Sequence, residues 1–180
     1  CLDPIEGERG AQPWALTPEA YGKFLCGLFD VYYRDWVNGD YTSVRLFDDY
    51  IHMAMGMPAG TCATSGSCGA YFVVEGDGTV YPCDFYCLDE WEMGRIGEQS
   101  IPELANSEKA RLFLQQGERK PDACADCRWY SLCHGGCKRD WVENDGKLEN
   151  YSCLAFKEFF AYAESRILEI ARAEAEYYRR

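Results

Sequence analysis

Apolar residues recur at helical spacing after Thr17: Phe24, Leu25, Leu28, Val31 and Tyr32 form a stripe that stops at Asn38-Gly39. Thr17 offers a cap and Pro18 and Glu19 suit a first turn, so this stretch is predicted to be a helix. The following TSVRLF has the β-branched, alternating look of a short strand, and DDYIHMAMG that of a brief helix closed by Gly56 and Pro58. Helix, strand, helix is a βα-type rhythm, too short here to close a sheet by itself. Further on, YFVVEGDGTVYPC sets two β-rich runs around Gly76-Asp77-Gly78, a hairpin signal. IPELANSEKARLFLQQG then offers one or two helices ending at Gly117. From Leu154 to Arg180 there is no glycine or proline, and Phe156, Phe159, Phe160, Ile167, Leu168 and Ile170 lie near one face, which predicts one long helix. Three zones result: residues 1–57 with α/β patterning, a cysteine- and loop-rich zone up to Cys153, and the closing helix.

Composition narrows what such a chain does. At 180 residues and 47% hydrophobic content it has enough material for a core. A net charge of −12 makes phosphate-backbone binding a poor fit, so no nucleic-acid partner is expected. No run approaches about eighteen apolar residues and CLDPIEGERG has neither a basic leader nor an apolar core, so no membrane partner is expected and a cytoplasmic, reducing location is. The chain starts with Cys1 in what reads as mid-sequence loop material, which suggests a piece of something longer.

In a reducing compartment the eleven cysteines point to metal or redox chemistry rather than to disulfides. CADCRWYSLCHGGC places Cys124, Cys127, Cys133 and Cys137 at uneven intervals. Cys62 and Cys68 precede the hairpin, Cys83 closes its second strand, and Cys153 stands where the last helix begins. Cys1, Cys26 and Cys87 are left over. A tetrahedral zinc usually takes two short-spaced pairs, and only Cys124 and Cys127 form one. A cubane iron-sulfur cluster needs four thiolates spread around a bulkier group, which uneven spacing permits. Spacing alone leaves clusters and zinc both open.

The pattern C-x5-C-x14-C, with a G-x4-C element from Gly78 to Cys83, then C-x2-C-x5-C-x3-C and a final cysteine, resembles the SPASM domain of radical SAM peptide-modifying enzymes. The phrases RLFDDYIHM, VEGDGTVYPCDFYCLDEW and CHGGCKRDW further resemble anaerobic sulfatase-maturating enzymes. The resemblance implies an α+β fold: residues 1–57 as the end of a partial (β/α)6 radical SAM barrel, and residues 58–180 as a loop-rich SPASM domain with a β-hairpin and a closing helix. It implies two auxiliary [4Fe-4S] clusters, one on Cys62, Cys68, Cys83 and Cys137 and the other on Cys124, Cys127, Cys133 and Cys153. S-adenosylmethionine and a third [4Fe-4S] cluster would sit in an N-terminal part this sequence lacks. Oxidation of a Cys or Ser of an unfolded or nascent sulfatase polypeptide to Cα-formylglycine is the implied reaction. A deoxyadenosyl radical would take a Cβ hydrogen, Asp84 would accept the side-chain proton, and the electron would leave through the auxiliary clusters to an external carrier. A thiol of pKa about 8.5 needs such a base, and a buried carboxylate has its own pKa raised toward the working range.

The radical SAM motif C-x3-C-x2-C is absent: Cys83-x3-Cys87 and Cys133-x3-Cys137 are followed by Glu90 and Asp140. These 180 residues alone are therefore expected to be inactive. Gly135-Gly136 reads as close-approach backbone whose amides donate to cluster sulfur. Asp84 also reads as a turn carboxylate, Cys87 as a small buried hydrophobe or a rival ligand, and Cys26 as core. His52 reads as structural, His134 as a group that tunes a cluster, and Asp48-Asp49 as helix-start carboxylates. Tyr81, Phe85, Tyr86, Trp91, Trp129 and Trp141 are expected to shield the metal centres from water. Two other readings remain: a non-catalytic iron-sulfur or zinc module that binds a peptide or protein, and a SPASM maturase of another ribosomal peptide.

Overall fold

The computed structural model describes residues 3–69 and 71–177; Cys1 and the last three residues of the predicted closing helix lie outside them. Helix α1 (Pro18–Asn38) begins where Thr17 accepts a hydrogen bond from the Ala20 amide and ends at Gly39, whose φ of 79° only a residue without Cβ adopts easily. Its buried face is Gly22, Leu25, Phe29 and Tyr32, whereas Phe24 and Val31 are 56% and 42% exposed. The predicted stripe was therefore turned partly outward. Hydrophobicity was available on more than one side, and packing against the closing helix chose the face.

TSVRLF is not a strand. Helix α2 (Arg45–Ala54) starts within it, after extended Val44. Phe47, Tyr50 and Ile51 are buried at spacings of three and four, so burial against a helical neighbour overrode the local β-branched preference. No strand forms among the described residues before Met57.

The long helix is present as α7 (Cys153–Tyr177), which buries Phe159, Phe160, Ala163, Ile167 and Ile170. It packs on α1 and α2 in one aromatic core: the Phe29 ring lies 5.0 Å edge-on to Phe47 and 5.5 Å from Phe159, and Phe160 meets Tyr50 at 4.8 Å. Each such fully buried phenylalanine is worth about 1.5–3 kcal/mol. The core thus spans from the first zone to the last, and the cysteine-rich segment is strung between its ends.

That segment carries α3 (Cys62–Ser65), then the predicted hairpin as antiparallel β1 (Val73–Val74) and β2 (Thr79–Tyr81). The Gly78 amide donates to the Glu75 carbonyl and the Thr79 amide to the Asp77 carboxylate across its turn. A third strand, β3 (Gly94–Arg95), joins β2; two residues carry no alternation that a sequence pattern would reveal. Helices α4 (Ile101–Ala105) and α5 (Glu108–Gly117) follow as expected, the first with a Ser100/Glu103 capping box. After α6 (Tyr130–Cys133), a second hairpin of β4 (Trp141–Asn144) and β5 (Lys147–Asn150) turns at Asp145-Gly146, both with positive φ. Its Asp-Gly turn was a legible signal that the cysteine pattern overshadowed.

Asp49 anchors the segment to the core. It is buried, and it accepts hydrogen bonds from the Gly60 amide and the Thr61 and Thr64 hydroxyls. Burial pushes its carboxyl up, but the Thr64, Thr61 and Gly60 hydrogen bonds outweigh it and hold it below the ordinary carboxylate range. Its contribution is thus present above the unfolded-state pKa and is lost as pH falls through the lowered one. Asp49→Ala is expected to destabilise the chain by about 1–3 kcal/mol, because the Gly60 amide and the Thr61 and Thr64 hydroxyls lose their shared acceptor. Thermal melting at neutral pH would measure the loss, and the difference from the parent should shrink toward acid.

Candidate metal centres

The eight cysteines divide four and four. Cys62, Cys68, Cys83 and Cys137 line one cavity of about 430 Å³, together with Asp84, Arg45, Tyr71 and Lys138. Cys124, Cys127, Cys133 and Cys153 line a second of about 380 Å³, with Trp129, Lys157 and Phe160 on its walls. Cys62 opens α3, Cys68 precedes β1, Cys83 follows β2, and Cys137 precedes the 3-10 turn Lys138–Asp140, so the first cavity gathers residues far apart in the chain. The second gathers the Cys124–Cys133 loops and Cys153, the first residue of α7, where the helix N-terminus favours a negatively charged ligand.

The cavities suit a bulky polynuclear group. Each far exceeds the roughly 10–15 Å³ that a single water needs. Among the described residues, no group of three or more His, Cys, Asp or Glu converges closely enough to hold one metal ion. All eight thiols are free and half-buried. Burial pushes Cys83 and Cys133 up to about 12 and Cys137 up to about 11. Such sulfurs become thiolates only when a multivalent cation supplies the missing charge. Backbone amides already point at three of them: Phe85 N–H at Cys83, Gly135 N–H at Cys133 and Arg139 N–H at Cys137, each two residues on. Donors of this kind stabilise sulfur charge and tune a cluster.

Glycine is required at two places around these sulfurs. A Cβ at Gly117 would lie 2.7 Å from Cys68 Sγ. Gly135 has φ +89°, and a Cβ there would come 3.0 Å from Pro121 and 3.3 Å from Cys124 Sγ. The Gly135 carbonyl also accepts from buried Asn150 (2.8 Å) and from Trp141 Nε1 (2.9 Å), which pins the loop between Cys133 and Cys137. Of the two amides expected to reach sulfur, Gly135 does so, while the Gly136 amide donates to the Cys133 carbonyl instead.

Asp84 lies on the wall of the first cavity, at the start of a 3-10 turn, with the Cys83 thiol donating to its carboxylate at 3.4 Å. It is exposed rather than buried, because the cavity mouth opens beside it. Cys87 stays off the cavity walls, packed beside Tyr81 and Trp91, with its thiol 3.6 Å from the Cys83 carbonyl. Cys26 packs against the main core, as expected. His134 does structural work: its Nδ1–H donates to the Thr64 carbonyl at 2.7 Å and ties α3 to the end of α6. His52 lines a separate cavity with Tyr32, Trp36 and Glu174. Asp48 accepts from the Tyr32, Tyr41 and Ser43 hydroxyls. Among the aromatics, Trp129 walls the second cavity and Tyr86 the first, but Phe85 is 39% exposed.

Lys138 was missed. It is 8% exposed beside Cys137, and burial pushes its ammonium down to about 8 against the opposing pull of the Cys68, Cys83 and Cys137 sulfurs. A lysine next to a ligand cysteine gives no pattern of its own; only the fold shows that it points inward.

Residues 66–128 match the SPASM family, an iron-sulfur cluster-binding domain, and this span holds Cys68, Cys83, Cys124 and Cys127. A cysteine-type anaerobic sulfatase-maturating enzyme of Clostridium perfringens is 40% identical over 173 residues, 95% of this chain and 47% of that protein. The chain thus carries a match to the SPASM domain and is similar over nearly its whole length to sulfatase-maturating enzymes. It aligns with the C-terminal part of these anaerobic sulfatase-maturating enzymes and spans about half the length of the relatives it matches. A serine-type enzyme of Bacteroides thetaiotaomicron is 30% identical over 87% of this chain and 39% of its own length. The solved structure of native anSMEcpe with bound AdoMet and Kp18Cys peptide superposes with a TM-score of 0.89 at 41% identity, covering 96% of this chain and 48% of that one. The fold is mixed helix and sheet, and no described helix is long and apolar enough to cross a membrane.

Proposed function

We propose that this chain is the auxiliary-cluster portion of a radical SAM enzyme that oxidises a Cys or Ser of a sulfatase polypeptide to Cα-formylglycine. The observation that carries the reading is the division of the eight cysteines between two cavities, with Asp84 on the wall of one. Residues 1–57 would end the radical SAM barrel, and the part that cleaves S-adenosylmethionine, with its own [4Fe-4S] cluster, would lie outside this sequence. Two [4Fe-4S] clusters, when bound, supply one-electron acceptors. Cys62, Cys68, Cys83 and Cys137 would hold the one nearer the substrate, and Cys124, Cys127, Cys133 and Cys153 the other, from which an external carrier draws the electron. Full thiolate ligation leaves no open iron for substrate, so the chemistry at the peptide falls to side chains.

Asp84 is the side chain for it. As the Cβ radical of the target residue gives up its electron and collapses to an aldehyde or thioaldehyde, the hydroxyl or thiol proton passes to the Asp84 carboxylate; a thioaldehyde then takes up water and releases hydrogen sulfide to give the same aldehyde. The open mouth beside Asp84, with exposed Tyr71 and Phe85 next to it, leaves room for an extended peptide. The amides of Phe85 and Arg139 hold their sulfurs in place meanwhile.

Protein purified without oxygen is expected to carry about eight iron and eight acid-labile sulfide per copy of this segment. Stoichiometric zinc in place of iron, or the same thiols joined as disulfides, would sink the proposal.

A further inference from the structure

Lys138 stands in the wall of the first cavity and is buried there. Its ammonium donates to the Phe113 carbonyl at 3.0 Å and lies 3.4, 4.7 and 5.1 Å from the ring centroids of Phe113, Tyr86 and Trp91. The three rings meet edge to face at 5.1, 5.4 and 5.8 Å, which makes the cage rigid and fixes the cation. No carboxylate pairs with Lys138 among the described residues. The other charged side chains on this wall, Arg45 and Asp84, are exposed and screened by solvent. A buried ammonium without a carboxylate is costly unless another anion faces it. The sulfurs of Cys68, Cys83 and Cys137 do, and as cluster ligands they carry net negative charge into a low-dielectric site.

We infer that Lys138 is the fixed counter-charge of the cluster on Cys62, Cys68, Cys83 and Cys137, and that it raises that cluster's reduction potential. The inference rests on the cluster reading above. Reduction adds one electron, hence one negative charge, to a group already anionic. A caged cation beside it stabilises the reduced form more than the oxidised one, so the cluster becomes the better acceptor for an electron arriving from the substrate side. Among the described residues, the cations that act on Cys124 of the second cavity, Lys120 and Lys157, are only half-buried. Lys138 acts through the cluster and touches no substrate, so its role is tuning.

The test is a redox titration with dithionite, followed by electron paramagnetic resonance, on anaerobically loaded full-length protein. In Lys138→Met one auxiliary cluster is expected to become about tenfold harder to reduce, a fall of about 59 mV for one electron, while the other keeps its potential. A fully loaded Lys138→Met chain with both potentials unchanged overturns the inference alone. A parent protein that holds zinc and no iron overturns the cluster reading and the inference with it. Should Lys138→Met lose about four irons, Lys138→Arg decides: retained iron supports a need for positive charge, and equal loss shows that the lysine only packs the cage.

Discussion

Asp84→Asn in the full-length enzyme is expected to lower formylglycine formation by roughly 10²- to 10⁴-fold, the usual worth of a positioned general base. Asn keeps the size and shape of Asp, so the cavity wall and the iron content should not change. What Asn lacks is a place for the proton. Loss of the Cβ hydrogen comes first in the proposed sequence, so cleavage of S-adenosylmethionine should continue while aldehyde product fails to accumulate. The measurement is therefore double: deoxyadenosine release by chromatography and formylglycine by mass spectrometry of a sulfatase peptide. Product at the parental rate would remove Asp84 from the base role and return it to the turn carboxylate that its place in a 3-10 turn also allows.

The second large effect concerns Cys137. Spacing alone groups it with Cys124, Cys127 and Cys133, whereas the resemblance to SPASM domains puts it with Cys62, Cys68 and Cys83, whose cavity it lines. Cys137→Ala is expected to remove about half of the auxiliary iron, roughly four atoms. The informative variant is Cys62→Ala with Cys137→Ala. If the two residues share a cluster, the pair should lose no more iron than either alone; if Cys137 belongs to the tight run, the pair should lose nearly all. Iron and sulfide analysis on anaerobic samples distinguishes the outcomes. Because metal binding and loop folding are coupled, the same variants should also lower the melting temperature, and Cys124→Ala with Cys62→Ala should lower it further than either alone.

The helices were largely legible because capping and periodicity are local. Thr17 and Gly39 bound α1, and the glycine-free stretch after Cys153 makes α7. TSVRLF misled because β-branched composition is a weak preference, and the buried spacing of Phe47, Tyr50 and Ile51 competes with it only once α7 is in place. The tiny strand β3 had no periodicity to read.

For the metal centres, the sequence by itself determined that eight of the eleven cysteines form a motif, that their spacing disfavours a single tetrahedral ion, and that they resemble SPASM ligands. Spacing alone could not say which four face one another; the resemblance implied the division, and three-dimensional convergence produces it. Cys137 turns away from its sequence neighbours because positive φ at Gly135 and Gly136, held by Asn150 and Trp141, reverses the chain between two sulfurs. Burial too was decided only by the tertiary structure: it left Asp84 at an open mouth, set Asp49 under the Cys62 loop, and closed three rings around Lys138. A side chain's exposure depends on elements distant in sequence, so residue type and spacing name the chemistry while packing assigns its place.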